Sequence, residues 1–471
     1  MKKCLSLFLA MILLLGLCAC QKAQPPAPQQ QAAPTFQVGY GRVDITPNNL
    51  GAPLSGYGQT SKRRHDEVLD PLMVSAVAIT GTNGETIILM SVDLISSSQH
   101  KVIRQRIESE LGIPYDHIML AATHTHSAPD QTHSSNGAYV TGYHTKAVEA
   151  ARLALADRSP AEVYIGSTET ERLNFVRHYE MNDGTFCGDN FGSEKSGYKG
   201  HAEQGDHQLQ VIKFARAAED KNDIVMVNFQ AHPCLTGGID KLKLSADFIG
   251  STRMQLEYQL GCDFIYFTGA AGNQNTKSRI TGESRTSDYQ EYATFMCQYI
   301  MTCLDNLEKV DGSIVKATQD TLMGQVNRQM EDRLSDAVQV QSLYQATDRT
   351  TGNKLARELG FSSVYHANGV ISRSKITEDE LPIVLTTYAF GDVSFTASPY
   401  EMFADHGRYI KEHTPYKMTF VASCANGGMG YLPTQKAFDY GCYESHTGKF
   451  TGDTGQRCAE KLVEMMNTQI G

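Results

Sequence analysis

The chain alternates short, continuous apolar runs with longer segments in which apolar residues recur every three or four positions. Apolar runs of about four to eight residues are typical of buried strands, and the longer period is typical of amphipathic helices. The predicted strands are 72–80, 86–94, 118–122, 224–230 and 264–268. The predicted helices are 99–111, 143–156, 247–260 and 289–307. This alternation predicts an α/β fold, with a mixed β-sheet core flanked by helices.

Near the end of the chain the pattern predicts a β-hairpin. Residues 382–390 and 393–397 are rich in apolar and β-branched side chains, and only Gly391 and Asp392 separate them. A two-residue connection that contains glycine is typical of a tight hairpin turn. A helix is predicted to follow at 400–411, and no internal repeat is visible.

Polar side chains with catalytic or metal-binding chemistry follow several predicted strands directly. They are His124 and His126 after the third strand, His232 after the fourth, the loop 269–275 after the fifth, and Glu401 after the hairpin. In open α/β sheets, ligands bind beyond the carboxyl ends of the strands. A histidine before proline is often a core residue, and a glutamate in a first helical turn often complements the helix dipole. Their joint placement nevertheless predicts one metal site at the C-terminal ends of the strands.

The most informative stretch is the run from Ala121 to Pro129, which contains His124 and His126. Side chains two residues apart on an extended chain point the same way. Both imidazoles are therefore expected to face one cleft, one as a metal ligand and the other as an acid/base or oxyanion partner. Taken alone, the run is equally compatible with two surface-loop histidines that share no task.

The N-terminus predicts export. Lys2 and Lys3 precede an apolar run at 5–17, which is typical of a secretory signal peptide. The sequence Leu17-Cys18-Ala19-Cys20 that follows is similar to the lipobox of bacterial lipoproteins, in which the chain is cut before the cysteine and that cysteine is acylated. A plain signal peptide or an uncleaved anchor is the alternative interpretation. Several acyl chains anchor a protein firmly, so Cys20 is the predicted lipidation site.

These features predict three segments. Residues 1–20 are interpreted as the signal peptide, 21–35 as a Pro/Gln-rich tether, and 36–471 as the folded domain. The expected location is extracytoplasmic, at the membrane of a bacterial cell envelope. The net charge of −10, without a long basic run, argues against nucleic acid as a partner.

The folded domain contains eight cysteines, and no two of them form a C-x-x-C pair. A cysteine zinc site or a thioredoxin-like motif therefore has no support. An exported protein can form disulfides, but buried thiols are equally compatible with this spacing. Disulfide pairing and the oligomeric state stay open at this point.

Ten short motifs follow one another along the domain. They are 38–47, Asp70-Pro71-Leu72, 91–94, 123–129, 229–233, Ser245-Ala246-Asp247, Ala271-Gly272-Asn273, Pro399-Tyr400-Glu401, 431–434 and Tyr443-Glu444. In this order they resemble the motifs of the neutral/alkaline ceramidases, which are zinc-dependent amidohydrolases of N-acylsphingosines. The resemblance covers nearly all of residues 36–471, and the run 123–129 is its most specific part.

The resemblance implies a zinc cofactor and a set of ligands. The family's zinc ligands correspond here to His124, His232, Glu401 and Tyr431, and each position holds the required residue type. Two imidazoles, a carboxylate and a phenolate suit Zn²⁺, which prefers nitrogen and oxygen donors. Zinc lowers the pKa of its water to about 7, so the expected nucleophile is a metal-activated water.

The resemblance also implies catalytic roles around the metal. His126 corresponds to a histidine that hydrogen-bonds the substrate or the developing oxyanion and helps to move protons. Tyr443 corresponds to a tyrosine that faces the substrate, although an ordinary half-buried tyrosine is the alternative. Arg177 lies where ceramidases carry an arginine in an N-R-S-P run, but this sequence does not keep the run.

Three departures from the family pattern bear on the substrate. Asn275 stands where ceramidases have a serine, so a serine nucleophile is excluded and Asn275 is expected to contact the substrate. Asp130-Gln131 replaces Gly-Gly after the histidine motif. Ceramidases also carry a C-terminal β-sandwich, whereas only a short helix is expected after Tyr443, which predicts the catalytic core without that module.

The function expected from the sequence is zinc-dependent hydrolysis of an N-acyl amide bond. The expected substrate is a small molecule, either ceramide or a related N-acyl lipid or compound. One alternative is a metal hydrolase of another ester, which would be expected to use more aspartate ligands. The other is a surface lipoprotein that keeps the fold for ligand binding.

Overall fold

The computed structural model describes residues 35–58, 62–238 and 241–470. Cys20, the predicted signal peptide and the predicted tether up to residue 34 lie outside the described residues. The strands within the described part of the chain are β1 Gln37–Asp44, β2 Glu67–Val68, β3 Met73–Thr80, β4 Thr86–Val92, β5 Ile118–Ala122, β6 Ser159–Glu169, β7 Phe175–Val176, β8 His178–Met181, β9 Phe186–Gly188, β10 Tyr198–His201, β11 Gln208–Arg216, β12 Ile224–Phe229, β13 Lys243–Leu244, β14 Asp263–Thr268, β15 Gln274–Asn275, β16 Glu308–Val310, β17 Val315–Gln325, β18 Glu380–Phe390, β19 Val393–Ala397, β20 Glu401–Met402, β21 Met418–Ala422 and β22 Tyr431–Leu432.

The α-helices of the same ranges lie between and after these strands. They are α1 His100–Leu111, α2 Gly137–Ala156, α3 Asp247–Leu260, α4 Tyr289–Leu304, α5 Leu334–Ala346, α6 Arg349–Glu358, α7 Val364–Arg373, α8 Ala404–His413, α9 Gln435–Asp439, α10 Tyr443–Thr447 and α11 Thr454–Ile470. Short 3₁₀ turns occur at Tyr115–His117, Ser134–Asn136 and Glu331–Arg333.

The largest sheet runs in the order β14-β12-β11-β6-β1-β3-β4-β5, and β16 adds to β6. The central pairs are antiparallel, whereas β4–β5 and β12–β14 at the two edges are parallel. The sheet is therefore mixed, which confirms the predicted fold class. The two parallel edge pairs are also the ones that lead into the histidine motifs.

A second sheet, in the order β17-β18-β19-β21, packs face to face on the first. Phe214 and Phe267 of the large sheet contact Phe390 and Phe395 of the second, each pair with ring centroids 5.6 Å apart. Because side chains alternate between the faces of a strand, the neighbouring Ala389 points instead toward the helices outside. The central core thus lies between two sheets.

Helices cover the outer faces of both sheets, α1 to α4 on the large one and α8 and α11 on the second. The contact between α2 and β1 is unusually close, since a Cβ at Gly39 or Gly41 would lie 2.2 Å from a carbonyl oxygen of α2. Only glycine permits this approach, which explains the two glycines of the first sequence motif.

Helices α5 to α7, residues 334–373, form an insertion between β17 and β18 that we call the helical cap. The cap has a small core of its own and packs on α10. Tyr365 of the cap meets Tyr443 edge to face at 5.8 Å, and His366 stacks on His446 at 3.6 Å. The cap therefore borders the segment that carries one of the predicted catalytic residues.

One predicted element is wrong in a way that matters for the site. The helix expected at 400–411 begins only at Ala404, and Glu401 lies instead on the short strand β20. The Glu401 N–H donates to the Gly430 carbonyl oxygen at 2.8 Å, so strand pairing holds this segment extended. Glu401 therefore does not lie in the first turn of a helix, where it would complement the helix dipole. The hairpin itself is confirmed, with Phe390 paired to Val393.

All eight cysteines of the described residues are free thiols, seven of them buried. The question of disulfide pairing is thereby answered for this part of the chain. Within the same ranges, no helix combines the length and the apolar character needed to cross a membrane.

Candidate metal centre

His124 and His126 enter the site through a tight turn after β5. His124 has a φ of 68°, in the left-handed region, so the backbone is not extended there. Its N–H donates to the Leu94 carbonyl oxygen at 3.0 Å. The two Nε2 atoms lie 3.3 Å apart. Both rings thus face one cleft, but a left-handed turn brings them together and not the extended chain expected from the sequence.

His232 follows β12 and is oriented by the loop after β14. Its Nδ1 lies 2.7 Å from the Ala271 carbonyl oxygen, and its N–H donates to the Gln274 carbonyl oxygen at 3.0 Å. His124 is held in the same way, with Nδ1 2.7 Å from the Ile95 carbonyl oxygen. A ring whose Nδ1–H donates to a carbonyl keeps its Nε2 lone pair free, as metal-binding histidines do.

Glu401 and Tyr431 are brought together by strand pairing. They are direct partners in the parallel pair β20–β22. The loop after β14 lies against this pair, since the Gly272 N–H donates to the Met402 carbonyl oxygen at 2.8 Å. A Cβ at Gly272 would lie 2.6 Å from the Glu401 carbonyl oxygen, so this position requires glycine. The same loop also orients His232, which couples the two halves of the site.

Three lone-pair donors converge in the cleft. Oε2 of Glu401 lies 3.2 Å from Nε2 of His124 and 3.2 Å from Nε2 of His232. Glu401 Oε2 and His232 Nε2 are buried and have no hydrogen-bond partner. Buried polar atoms without a partner are costly, so the arrangement needs a cation or a proton. Nitrogen and oxygen ligands about 2.0–2.1 Å from a tetrahedral zinc lie roughly 3.3 Å apart, so the donors fit such an ion.

The charges of the cluster depend on one another. Although burial opposes it, Glu401 raises the pKa of His124 well above its usual value. Against the effect of burial, His124 in turn lowers the pKa of Glu401 well below its usual value. Burial, together with Arg177, lowers the pKa of His232. In the protein alone, a proton on His124 thus supplies the positive charge that a bound cation would otherwise supply.

Tyr431 lies half-buried next to this cluster. Burial, reinforced by the charge of Glu401, raises its pKa well above the usual value, so the phenol is neutral in the protein alone. A bound cation is the largest local charge in such a site and favours deprotonation of a ligating group. Tyr431 therefore fits the role of a ligand only together with a metal ion.

His126 differs from the other two histidines. It also lies within ligand distance of His124, but its Nδ1 is buried and has no hydrogen-bond partner. Its ring is held by packing instead, with the Tyr57 ring at 5.3 Å and Gly56 against Nδ1. Burial, reinforced by His124 and His232, lowers its pKa well below the usual value. His126 is thus a neutral imidazole beside the donor cluster, without the carbonyl that orients a ligand.

Arg177 and Asn275 lie next to each other at the edge of the cleft. The short strands β7 and β15 are paired, and Arg177 Nη1 lies 3.4 Å from Asn275 Oδ1. The guanidinium carbon lies 5.5 Å from the Tyr431 ring centroid. A β-bridge between His232 and Asn275 ties both residues to the histidine cluster.

Tyr443 begins α10 and lies between Tyr431 and the helical cap. Its ring centroid is 5.9 Å from that of Tyr431 and 5.8 Å from that of Tyr365. Burial raises its pKa, so the phenol keeps its proton and can donate a hydrogen bond. A cavity of about 140 Å³ opens beside the cluster, lined by Ile95, Ser96, His124, Glu401, Cys424, Gly428, Met429 and Gly430.

The family model of the N-terminal part of neutral/alkaline non-lysosomal ceramidases matches residues 36–327, which is well over half of the chain. The chain belongs to this family. A crystal structure of neutral ceramidase from Pseudomonas aeruginosa superposes with a TM-score of 0.68 at 15% identity, covering 92% of this chain and 74% of that one. A structure described as ceramidase complexed with C2 gives a TM-score of 0.66 at 16% identity, covering 92% and 75%. At these identities the two structures show a shared fold.

The ceramidase family match ends at residue 327, before three of the residues singled out from the sequence: Glu401, Tyr431 and Tyr443. The structure brings these three to the same cleft as His124, His126 and His232. All the site residues predicted within the described ranges therefore lie in one region of this family member. Their individual roles stay predictions.

Three residues of the site received no role from the sequence. Cys424 lies beside His124, with Sγ 3.5 Å from Nδ1, and lines the same cavity as His124 and Glu401. It follows β21, so the same strand-end pattern that revealed the histidines could have found it. Glu444 and His178 directly follow Tyr443 and Arg177 in the chain. Only the tertiary structure shows that they contact each other.

Proposed function

We propose that this ceramidase family member is a zinc-dependent amidohydrolase that cleaves an N-acyl amide bond, in ceramide or a related N-acyl compound. The observation that carries the proposal is the convergence of Glu401 Oε2 with Nε2 of His124 and of His232, without hydrogen-bond partners for the carboxylate oxygen. Tyr431 completes the proposed ligand set. The family membership supports the amide as the bond that is cleaved.

A zinc ion bound there supplies a water of lowered pKa and a Lewis acid for the carbonyl oxygen. The chain's own residues do the rest. His126, neutral because its pKa is lowered, accepts a proton as the amide carbonyl is attacked and returns it to the leaving nitrogen. Tyr443 and Arg177 donate to the oxygen that becomes negative. Asn275 positions the substrate beside Arg177.

The test is a panel of N-acyl lipids and N-acyl amino acids, incubated with residues 36–471 before and after chelation. We expect hydrolysis of at least one N-acyl amide, loss of activity with the chelator, and recovery with zinc. His124→Ala is the control, because it removes a proposed ligand without touching the substrate. Hydrolysis that persists in zinc-free protein, or cleavage of esters alone, would contradict the proposal.

For the N-terminus we propose that Cys20 is acylated and tethers the enzyme outside the cytoplasmic membrane, next to lipid substrates. This rests on the charged and apolar regions and on the lipobox-like run ending at Cys20. Mass spectrometry of the full-length chain expressed in bacteria is expected to find an acylated N-terminal cysteine. A Cys20→Ser variant that still partitions into detergent would argue against it.

A further inference from the structure

Behind the cleft, a buried carboxylate, Glu444, holds Arg177. The Nε of Arg177 donates to Glu444 Oε1 at 2.8 Å, and Nη2 lies 2.5 Å from the same oxygen. The other oxygen, Oε2, lies 2.8 Å from Nε2 of His178. All three side chains are buried, Glu444 completely. Each oxygen of Glu444 is thus engaged by one basic side chain.

The chain of charges continues beyond His178. Its Nδ1 lies 2.7 Å from the Tyr440 hydroxyl and 3.6 Å from a carboxylate oxygen of Glu203. Although burial opposes it, Glu444 and Glu203 raise the pKa of His178 to about 9. Arginine, glutamate, histidine and glutamate therefore alternate in sign. Buried charges persist only when they are paired in this way.

The opposite edge of the guanidinium faces the cleft. Nη1 of Arg177 reaches Asn275 Oδ1 at 3.4 Å, and the guanidinium lies over the Tyr431 ring. An arginine side chain has several rotatable bonds, and a carboxylate that holds two of its nitrogens restricts them. Glu444 thus determines the direction in which the Nη1 edge of the guanidinium points.

We propose that Glu444 is a positioning residue for the hydrolysis, fixing Arg177 so that its guanidinium faces Asn275 and Tyr431. The inference rests on the proposed function. Glu444 acts through Arg177, because its own oxygens are engaged by Arg177 and His178. A donor that is fixed in advance needs no reorientation when negative charge develops on the substrate oxygen.

A second metal site is the competing interpretation of the same residues. Candidate ligand atoms of His178, Cys442 and Glu444 lie within 4.8 Å of one another. However, both oxygens of Glu444 already accept from cations, and Cys442 Sγ accepts from the Ser445 N–H at 3.3 Å. The positive charge of Arg177 beside Glu444 also repels a metal ion. The group is therefore an ion-pair network.

The first test is a double-mutant cycle on turnover. Glu444→Gln keeps the size of the side chain and removes its charge, and we expect kcat to fall roughly 10- to 100-fold with zinc content unchanged and KM within about twofold. In an Arg177→Ala background the same change is expected to alter kcat by less than about twofold, because no guanidinium remains to be oriented. Additive losses in the cycle, or a Glu444→Gln enzyme with wild-type kcat, would overturn the proposal.

A matched control separates positioning from general destabilisation. Asp263→Asn also removes a carboxylate from an arginine, since Asp263 lies 3.0 Å from Arg216 at the start of β14, the end remote from the site. We expect it to lower the melting temperature without changing kcat. If Glu444→Gln fails to fold, Glu444→Asp keeps the charge on a shorter side chain and is expected to lower kcat. Wild-type kcat in that variant would equally refute the proposal.

A readout independent of activity distinguishes this inference from the proposed function. In ¹H–¹⁵N spectra the Nε–H of Arg177, assigned by its loss in Arg177→Lys, is expected to be protected from solvent exchange. Glu444→Gln should shift this signal and speed its exchange. If the wild-type protein hydrolyses no amide, the proposed function fails, yet this spectrum still decides whether Glu444 fixes Arg177. A signal that does not shift in Glu444→Gln would refute the proposal that Glu444 fixes Arg177.

Discussion

The donor cluster in the cleft and the ion-pair network behind it both contain histidine and glutamate but differ in the partners of those side chains. In the cluster, Glu401 Oε2 faces two imidazole nitrogens and has no hydrogen-bond partner. In the network, each oxygen of Glu444 lies within 2.8 Å of a basic side chain. The carboxylate of Glu401 is thus available to bind a cation, whereas that of Glu444 is already paired with Arg177 and His178.

The difference shows which feature indicates a metal site. Histidine and glutamate in proximity occur in both regions, so residue type does not separate them. The orientation of the rings does, because His124 and His232 each give Nδ1 to a backbone carbonyl and turn Nε2 toward Glu401. His178 instead directs both nitrogens to side chains, the hydroxyl of Tyr440 and the carboxylate of Glu444. A metal ligand needs a free lone pair, and only the first arrangement provides one.

The largest effect is expected from removing a ligand of the cluster. His124→Ala and His232→Ala should each lose both zinc and activity, because too few donors remain to hold the ion. Elemental analysis and turnover with the cleaved substrate measure the two together. A His178→Ala protein is the control from the network and should retain its zinc. Zinc binding that survives loss of both His124 and His232 would remove the distinction between the two regions.

The next largest effect concerns His126, which lies in the cluster but lacks the carbonyl partner. His126→Ala should keep zinc bound while kcat falls roughly 10² to 10⁴-fold, the range for losing a placed acid/base or oxyanion donor. The neighbouring His124→Ala should lose metal and activity together. If His126→Ala strips the zinc and His124→Ala keeps it, the assignment of ligand and proton carrier is reversed.

A smaller effect is expected for the ion-pair network, in the pH dependence of the free energy of unfolding. The pKa of His178 is raised in the folded protein to about 9, above an unfolded value of about 6.5. Its stabilising contribution is therefore fully present below about pH 6.5 and is lost as the pH rises through 9.

Denaturant unfolding of the wild type and of His178→Gln across this range measures that contribution. The difference in free energy of unfolding should shrink toward high pH by an amount on the order of 1–3 kcal/mol. A difference that is constant between pH 6 and 10 would show that His178 is not charged in the native protein.

The smallest effect is expected at the boundary of the two regions, at Asn275. Asn275→Ala removes an amide that contacts Arg177 and Asp189, but no lone pair of the cluster. Turnover should fall only a few-fold, about 1 kcal/mol, because Glu444 still holds Arg177. Steady-state kinetics with a zinc determination checks this. Complete loss of activity with zinc retained would give Asn275 a direct part in the chemistry.

Much of the fold could be predicted from periodicity. Strands β5 and β19 and helix α3 have the predicted bounds, and the other strands that were predicted differ by one or two residues at their ends. The helical cap was not predicted, and the helix after the hairpin was placed too early. In that segment, pairing with β22 keeps Glu401 in an extended conformation, and such long-range pairing leaves no trace in local periodicity.

What the sequence by itself determined is the set of residue types at the ends of strands, since apolar runs and the polar residues after them are local features. What only the tertiary structure decided is which of those residues meet and with which atoms. The pairing of Glu401 with Tyr431 and the ion pair between Arg177 and Glu444 join segments far apart in the chain, and the left-handed turn at His124 is held by the hydrogen bond from its N–H to Leu94. A hydrogen bond or an ion pair depends on distance and direction in space, and both are established only when the two sheets and their loops pack together.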